Sequence, residues 1–385
     1  MRIVQVNVVY GHGSTGSIVK TLHEEYLRRG LDSYVLFGRG SKSNDPKVKR
    51  VGFLLEAKLW RFLQLFNGNP LGGSPLSTWN LKRHIKKLKP DVVHVHCING
   101  NMCNVPALFK WLNKKGVHTV LTHHAKFMFT GGCGLNLCEG FAHGCGNCPY
   151  KQETFGKWCG DHSAKNYARM GKAHLDSLNV HHAYVSSWLM EQAEKSSLLK
   201  GAKNHVVFNP IPAAFKAGEE VPRKDYVFFP SSGAGAGVKG FQFLPKLAES
   251  LAKIGLKLVV AGKWNESIPN VESAGYVAGY DALAKRYQDA LCTVLLSQVE
   301  SFSMTTAESL CCGTPLVGFK AGAPESIGIE GGSFFVEYGD VDALAKQIAL
   351  LKDCDIDRRE LSLNAREKFD IEAVVKDYLS IYESK

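Results

Sequence analysis

Two α/β domains, each a parallel β-sheet with helices on both faces, are what the sequence predicts, on three observations. The chain has 385 residues, too long for one ordinary domain and suited to two of roughly 150–200 residues. Short β-rich runs alternate with amphipathic helical runs, the pattern of a parallel sheet covered by helices. That pattern restarts after VVFNPIP, where two prolines in quick succession mark a domain boundary.

In chain order, RIVQVNVV is β-rich and runs into GHGSTG, and SIVKTLHEEYLRRG then has helical apolar spacing up to Gly30. SYVLFG is a second strand. DVVHVH, preceded by Pro90, and HTVLTHH follow, separated by the helical ALFKWLNKKG, and HAYVSS closes the first half. In the second half DYVFFP, LKLVVAG, TVLLS and PLVGF read as strands, with FLPKLAESLAKIG and DALAKRYQDAL as helices between them. The expected domains are residues 1–205 and 206–365, with a C-terminal helix over 366–385 that can pack back on the first.

Apolar residues at 45% and charged residues at 22% place the chain among soluble globular proteins. MRIVQVNVVY is apolar but short and lacks a small-residue cleavage site, and no apolar run approaches the ~18 residues that span a bilayer. A cytoplasmic protein is expected, with any membrane contact peripheral. Lys and Arg exceed Asp and Glu by 15 over residues 1–200, whereas residues 201–385 carry a net −4. A basic half suggests a polyanionic partner (nucleic acid, anionic lipid or a phosphorylated substrate); the plainer reading is lysines that keep the protein soluble.

Gly11, Gly13 and Gly16 spell GxGxxG between a strand and a helix. Such a turn lets a ligand approach the backbone, and the helix start offers amides and a positive dipole end. The dinucleotide fingerprint also needs an acidic residue after the second strand, where this chain has Gly38 and Arg39. Arg39 suits an NADP phosphate, so a reductase is one reading; a sugar or phosphate site, or a tight turn alone, are the others.

ESFSMTTAESLCCGTPLVG carries more. Glu300 follows the strand TVLLS, at the sheet end where open α/β folds bind ligands, and a helix start is expected at Ser303. The amides of Phe302, Ser303 and Met304 then suit a pyrophosphate, and Glu300 and Glu308 can accept hydrogen bonds from sugar and ribose hydroxyls. Lys239, in SSGAGAGVKGFQF after DYVFFP, supplies a cation on the same sheet edge, and that loop's glycines supply amides.

With those residues in view, the chain resembles the retaining glycosyltransferases of the GT-B fold, two Rossmann-like domains facing across a cleft, in glycosyltransferase family four. Glu300-x7-Glu308 with CGTPLV and the lysine loop VKGF carry the resemblance; VYGHGSTGSIV, DVVHVH and FNPIP extend it over nearly the whole chain. HHAKFMFTGGC with CGNCP is similar to a bacterial subgroup of exopolysaccharide, O-antigen and colanic acid assembly. The resemblance implies that Glu308 holds the ribose, Glu300 the donor sugar's hydroxyls and Lys239 the diphosphate. It also puts Gly13, Ser14 and Gly16 at the donor and His124 near its sugar. Many relatives carry an arginine five residues before the lysine, where this chain has Ala234. The implied reaction moves a hexosyl group from a UDP- or GDP-sugar with retention, without a metal in the chemistry. The implied acceptor is an undecaprenyl-diphosphate-linked glycan at the inner membrane surface, and no nucleic acid is implied.

Three further features bear on function. Cys133, Cys138, Cys145 and Cys148 have spacings compatible with a structural zinc site in a Cys-rich loop over 131–160; reduced, packed thiols are the alternative. FLLEAKLWRFLQLF and LKRHIKKLKP mix apolar and basic residues, and each is either a membrane-surface helix or an ordinary helix with its apolar face buried. The acidic stretch Asp353, Asp355 and Asp357 reads as solvated surface. A nucleic-acid-binding zinc module would use the basic half but leaves the second domain without a role.

Overall fold

The computed structural model describes residues 1–156, 158–174, 180–218, 224–231, 238–262 and 267–384, with the backbone alone at 173 and 174. They divide into two compact units, Met1–Phe208 with Val375–Lys385, and Asn209–Val374.

The first unit begins with β1 (Arg2–Asn7), α1 (Gly13–Arg28), β2 (Asp32–Phe37), β3 (Val48–Arg50), α2 (Leu54–Asn67) and α3 (Pro75–Leu88). It continues with β4 (Val92–Val95), α4 (Val105–Lys114), β5 (His118–His123), α5 (Lys151–Phe155), α6 (Ser163–His174), β6 (Val180–Tyr184), α7 (Ser187–Glu194) and β7 (Lys203–Val206). Among the described residues the strands form one parallel sheet in the order β3-β2-β1-β4-β5-β6-β7. β1, β4 and β5 are buried almost throughout, as a parallel sheet covered on both faces requires. β1's regular pairing ends at Asn7; Val8 still donates to Cys97 O at 2.7 Å and accepts from Arg39 N at 2.9 Å, and the Asn7 side chain adds to the connection. Its Oδ1 accepts from Cys97 N at 3.0 Å and its Nδ2 donates to Val9 O at 2.8 Å.

The second unit holds β8 (Tyr226–Pro230), α8 (Leu244–Ala252), β9 (Lys257–Ala261), β10 (Val271–Gly275), α9 (Tyr280–Asp289) and β11 (Cys292–Leu295). Then come α10 (Met304–Cys311), β12 (Leu316–Phe319), α11 (Ala323–Ile327), β13 (Ser333–Val336), α12 (Val341–Lys352), α13 (Arg358–Phe369) and the start of α14 (Ile371–Glu383). Its described strands form a second parallel sheet, β10-β9-β8-β11-β12-β13. Both sheets therefore reverse strand order next to their first strand, between β1 and β4 and between β8 and β11. The expected strands are present, and the short strands β3, β7, β10 and β13 are additional. β3 and β10 are sheet edges with polar exposed positions, so they lack the apolar run that marks a central strand. The single C-terminal helical segment is two helices, parted at Asp370, whose backbone is extended. Asp353 and Asp355 are exposed, and Asp357 caps α13 by accepting from Arg359 N and Glu360 N, both at 2.9 Å.

The part of α14 that belongs to the first unit closes a buried polar network. Tyr382 Oη lies 2.6 Å from His94 Nδ1 and 2.8 Å from Tyr26 Oη. His94 Nε2 lies 2.7 Å from Thr122 Oγ1, which in turn meets Tyr378 Oη at 3.0 Å. Among the described residues these side chains satisfy one another, so the network is costly to open. Tyr382→Phe orphans two buried partners and is expected to cost about 1–3 kcal/mol, read as a lower denaturant midpoint of the full chain.

Burial also holds histidines neutral: His94 and His96 are pushed well below the usual range, and His124 and His181 down to about 4. Unfolded histidines titrate near 6.5, so the unfolded chain takes up protons first as pH falls. The histidines' contribution to stability is thus full above about pH 6.5 and declines from there toward about pH 4. Equal denaturant midpoints at about pH 7.5 and about pH 5 would contradict this.

Candidate active site

The second sheet reverses strand order between β8 and β11, and the carboxyl ends of strands at such a reversal are where open α/β sheets bind ligands. Two backbone contacts place Lys239 there. Val238 O accepts from Gln298 N at 3.0 Å. Gly240, at φ 81°, lies so close to β11's exit that a Cβ would sit 2.1 Å from Leu296 O. Only glycine fits both that conformation and that approach. Held between these contacts, Lys239 Nζ donates to Glu300 Oε1 at 2.6 Å. Glu300 is itself fixed through its backbone: its N donates to Ala321 O at 2.9 Å and its O accepts from Ala323 N at 3.3 Å. The carboxylate is 13% exposed and the ammonium 43%, so the pair reaches solvent from the lysine side.

Directly after Glu300 the chain turns sharply into α10. Ser303 adopts the left-handed conformation at φ 76°, and its Oγ caps the helix by accepting from Thr306 N at 3.2 Å. A non-glycine residue there is strained, a cost that concentrates where function constrains the backbone. Phe302 turns its ring into the core against Phe369. The amides of Met304 and Thr305 open the helix and have no acceptor one turn back. One turn on, Glu308 accepts a 2.9 Å hydrogen bond from Tyr287 Oη, and burial pushes its carboxyl up to about 7. Lys239 and Glu300 are thus in contact, while Glu308 is bonded to Tyr287. Tyr287, the partner of Glu308, is a residue that the helical pattern of DALAKRYQDAL does not distinguish from the rest of the core.

In the first unit, the GxGxxG turn leads from β1 into α1. Gly11 and Gly13 have positive φ, and Gly11 N donates to Gly16 O at 2.9 Å. Gly13 and Ser14 are exposed in the first turn of α1, and Gly16 is buried. His124 stands just past β5 with its Nε2 3.1 Å from His96 Nδ1. Held to about 4 by burial, it is a neutral hydrogen-bonding group near pH 7. Close to it in sequence, Lys126 is buried, with Nζ 5.3 Å from the Phe141 ring centroid, 5.2 Å from that of Trp188, and bonded to Gln192 Oε1. A lysine in HHAKF reads as surface, and nothing in the sequence signals its burial.

The zinc site expected at Cys133, Cys138, Cys145 and Cys148 finds no support in the structure. Among the described residues no three His, Cys, Asp or Glu side chains are placed to hold a metal ion. The four thiols do line one small cavity, shared with Phe141 and Phe155. Burial there pushes the Cys145 thiol up to about 12. The glycines expected to add amides beside Lys239, and Ala234, fall at 232–237, outside the described residues.

Residues 214–368 match the family model described as Glycosyl transferases group 1, and residues 15–145 that described as Glycosyltransferase Family 4. Over 167 residues the chain is 29% identical to a protein of Escherichia coli (strain K12) described as a colanic acid biosynthesis glycosyl transferase, WcaC; the match covers 39% of this chain and 40% of that one. Over 95 residues it is 37% identical to N-acetyl-alpha-D-glucosaminyl L-malate synthase of Bacillus anthracis, covering 23% and 25%. The chain therefore spans less than half the length of these curated relatives. Among solved structures it is similar to sucrose-phosphate synthase from Thermosynechococcus elongatus, with a TM-score of 0.68 and 16% identity over 99% of this chain and 98% of that one. It is also similar to Anabaena Alr3699/HepE in complex with UDP, with a TM-score of 0.67 and 13% identity over 100% of both chains. These likenesses show the fold, two parallel-sheet domains of the GT-B type. The reductase reading finds no support, since Gly16 and Arg39 fall within the family 4 match.

Gly240→Ala drives a Cβ into a main-chain carbonyl and is expected to cost about 1–3 kcal/mol, read as a lower thermal midpoint. An unchanged midpoint would show that the Lys239 loop is not held as described.

Proposed function

The chain belongs to glycosyltransferase family 4, and on that premise we propose that it moves a hexosyl group from a UDP- or GDP-sugar to a glycan acceptor, with retention at the anomeric carbon. The observation that carries this reading is the Lys239–Glu300 contact at the strand-order reversal, beside the start of α10.

Each group has chemistry suited to one part of such a donor. An ion pair this exposed is worth at most about 1 kcal/mol, so a diphosphate of higher charge can draw the ammonium away. Lys239 then neutralises the departing diphosphate, assisted by the α10 amides, and Glu300 turns to the donor sugar's hydroxyls. Glu308 accepts from the ribose hydroxyls, with Tyr287 fixing its orientation. The bond from the anomeric carbon to the diphosphate breaks, the bond to the acceptor oxygen forms, and the acceptor's proton leaves with the diphosphate. Within the first unit, Gly13 and Ser14 leave the start of α1 open to a ligand, and neutral His124 can hydrogen-bond a hydroxyl.

The acceptor is an undecaprenyl-diphosphate-linked glycan of bacterial surface polysaccharide assembly. The description of the matched Escherichia coli protein, which names colanic acid biosynthesis, supports that reading.

Lys239→Ala and Glu308→Ala should each lower sugar transfer by at least about 100-fold while leaving the far-ultraviolet circular dichroism spectrum intact. Undiminished transfer in both variants refutes the assignment. Glu308 gains its charge as pH rises through about 7, so nucleotide affinity should strengthen across that pH in calorimetry. In Glu308→Gln the dependence should vanish; its persistence would show that another group binds the ribose.

A further inference from the structure

The two amphipathic segments singled out in the sequence part company in the structure. α3 buries Leu81 and Ile85, as an ordinary helix does. α2 buries no residue at all, although it is the more apolar of the two. Its inward side, which mixes Glu56 and Gln64 with Ala57, Trp60 and Leu63, is anchored by hydrogen bonds. Glu56 accepts from Leu76 N and Ser77 N, both at 2.8 Å, and Gln64 Oε1 accepts from Asn101 Nδ2 at 3.0 Å. Trp60 fills the space over Gly73, where a Cβ would meet its ring at 2.3 Å.

With that side anchored, Leu55, Leu59, Phe62 and Phe66 fall on one outward stripe at helical spacing and are 81%, 54%, 55% and 56% exposed. The Phe66 ring lies 5.9 Å from that of Trp158, which is 74% exposed and extends the stripe. A soluble surface rarely leaves so many large apolar groups contiguous without a partner. The exposed charges of α2 and α3 have one sign. Lys58 and Arg61 flank the stripe on α2, and the exposed face of α3 carries Arg83, Lys86 and Lys87. From residue 46 to residue 90 there are ten Lys and Arg, and Glu56 is the one acidic residue.

We propose that this surface docks the protein on an anionic lipid bilayer, with the α2 stripe and Trp158 in the headgroup–acyl boundary and the cations of α2 and α3 against lipid phosphates. Apolar side chains between cations are what that interface selects. A second copy of the chain, apposed by a two-fold axis, would set these cations against their own kind. The proposal does not rest on the transferase reading, and its test uses no sugar nucleotide.

The full chain is sedimented with vesicles of equal parts phosphatidylcholine and phosphatidylglycerol, and with vesicles of phosphatidylcholine alone. It should pellet with the mixed vesicles, with a blue shift in tryptophan emission that Trp158→Ser diminishes, and bind the neutral ones at least about tenfold less. Leu59→Gln/Phe62→Gln and Lys86→Glu/Lys87→Glu should each reduce binding by at least about tenfold. All four side chains are outside the core, so thermal midpoints should stay near that of the parent; if one pair fails to fold, the other decides. Parent protein left in the supernatant, or both folded double variants pelleting like the parent, overturns the proposal. So does a vesicle-free dimer that Leu59→Gln/Phe62→Gln dissociates, which would mean that a second copy covers the stripe.

Discussion

A close approach between two stretches of main chain governs the second unit. Gly240 lies against the Leu296 carbonyl, and a few residues away Gln298 bonds Val238, so the loops leaving β8 and β11 are tied where the sheet reverses strand order. That tie brings a lysine from one loop to a glutamate of the other. Given the exposure of Lys239, their ion pair contributes little to stability. Its effect is positional: two oppositely charged groups from different loops are kept in one place. The neighbouring strain at Ser303 serves the same end, since it turns the chain abruptly enough to begin α10 beside Glu300.

The first unit solves a different problem. Its central strands carry histidines and threonines at positions where a covered sheet normally carries aliphatic residues, and burial holds the histidines neutral. Tyrosines from the far end of the chain, Tyr378 and Tyr382, complete their hydrogen bonds. Without that returning segment, His94 and Thr122 would be polar groups sealed in an apolar layer. His96 and His124 continue the same chemistry toward the end of the sheet, where His124 reaches partial exposure.

How much was legible in the sequence depended on how local the cause was. The central strands were plain because a doubly covered strand must be apolar along its length. Edge strands such as β10 look like loops, because half their residues face water. Glu300, Glu308 and Lys239 were found from their places after strands and at a helix start, which are local patterns. Tyr287 and buried Lys126 were not, since what makes each unusual is a partner distant in the chain. The four cysteines line one cavity, as their close spacing suggests, but among the described residues they are not placed as a group that could hold a metal ion. For α2 the sequence left two readings open, and only the bonded inward positions of Glu56 and Gln64 show which side of the helix faces out.

The most direct measurement is a crystal structure of the protein with a bound nucleoside diphosphate, UDP or GDP. If the pair is a replaceable partnership, Lys239 Nζ will have left Glu300 for the diphosphate, and the ribose hydroxyls will sit against Glu308. A diphosphate bound elsewhere, with the 2.6 Å contact between Lys239 and Glu300 intact, would contradict the account.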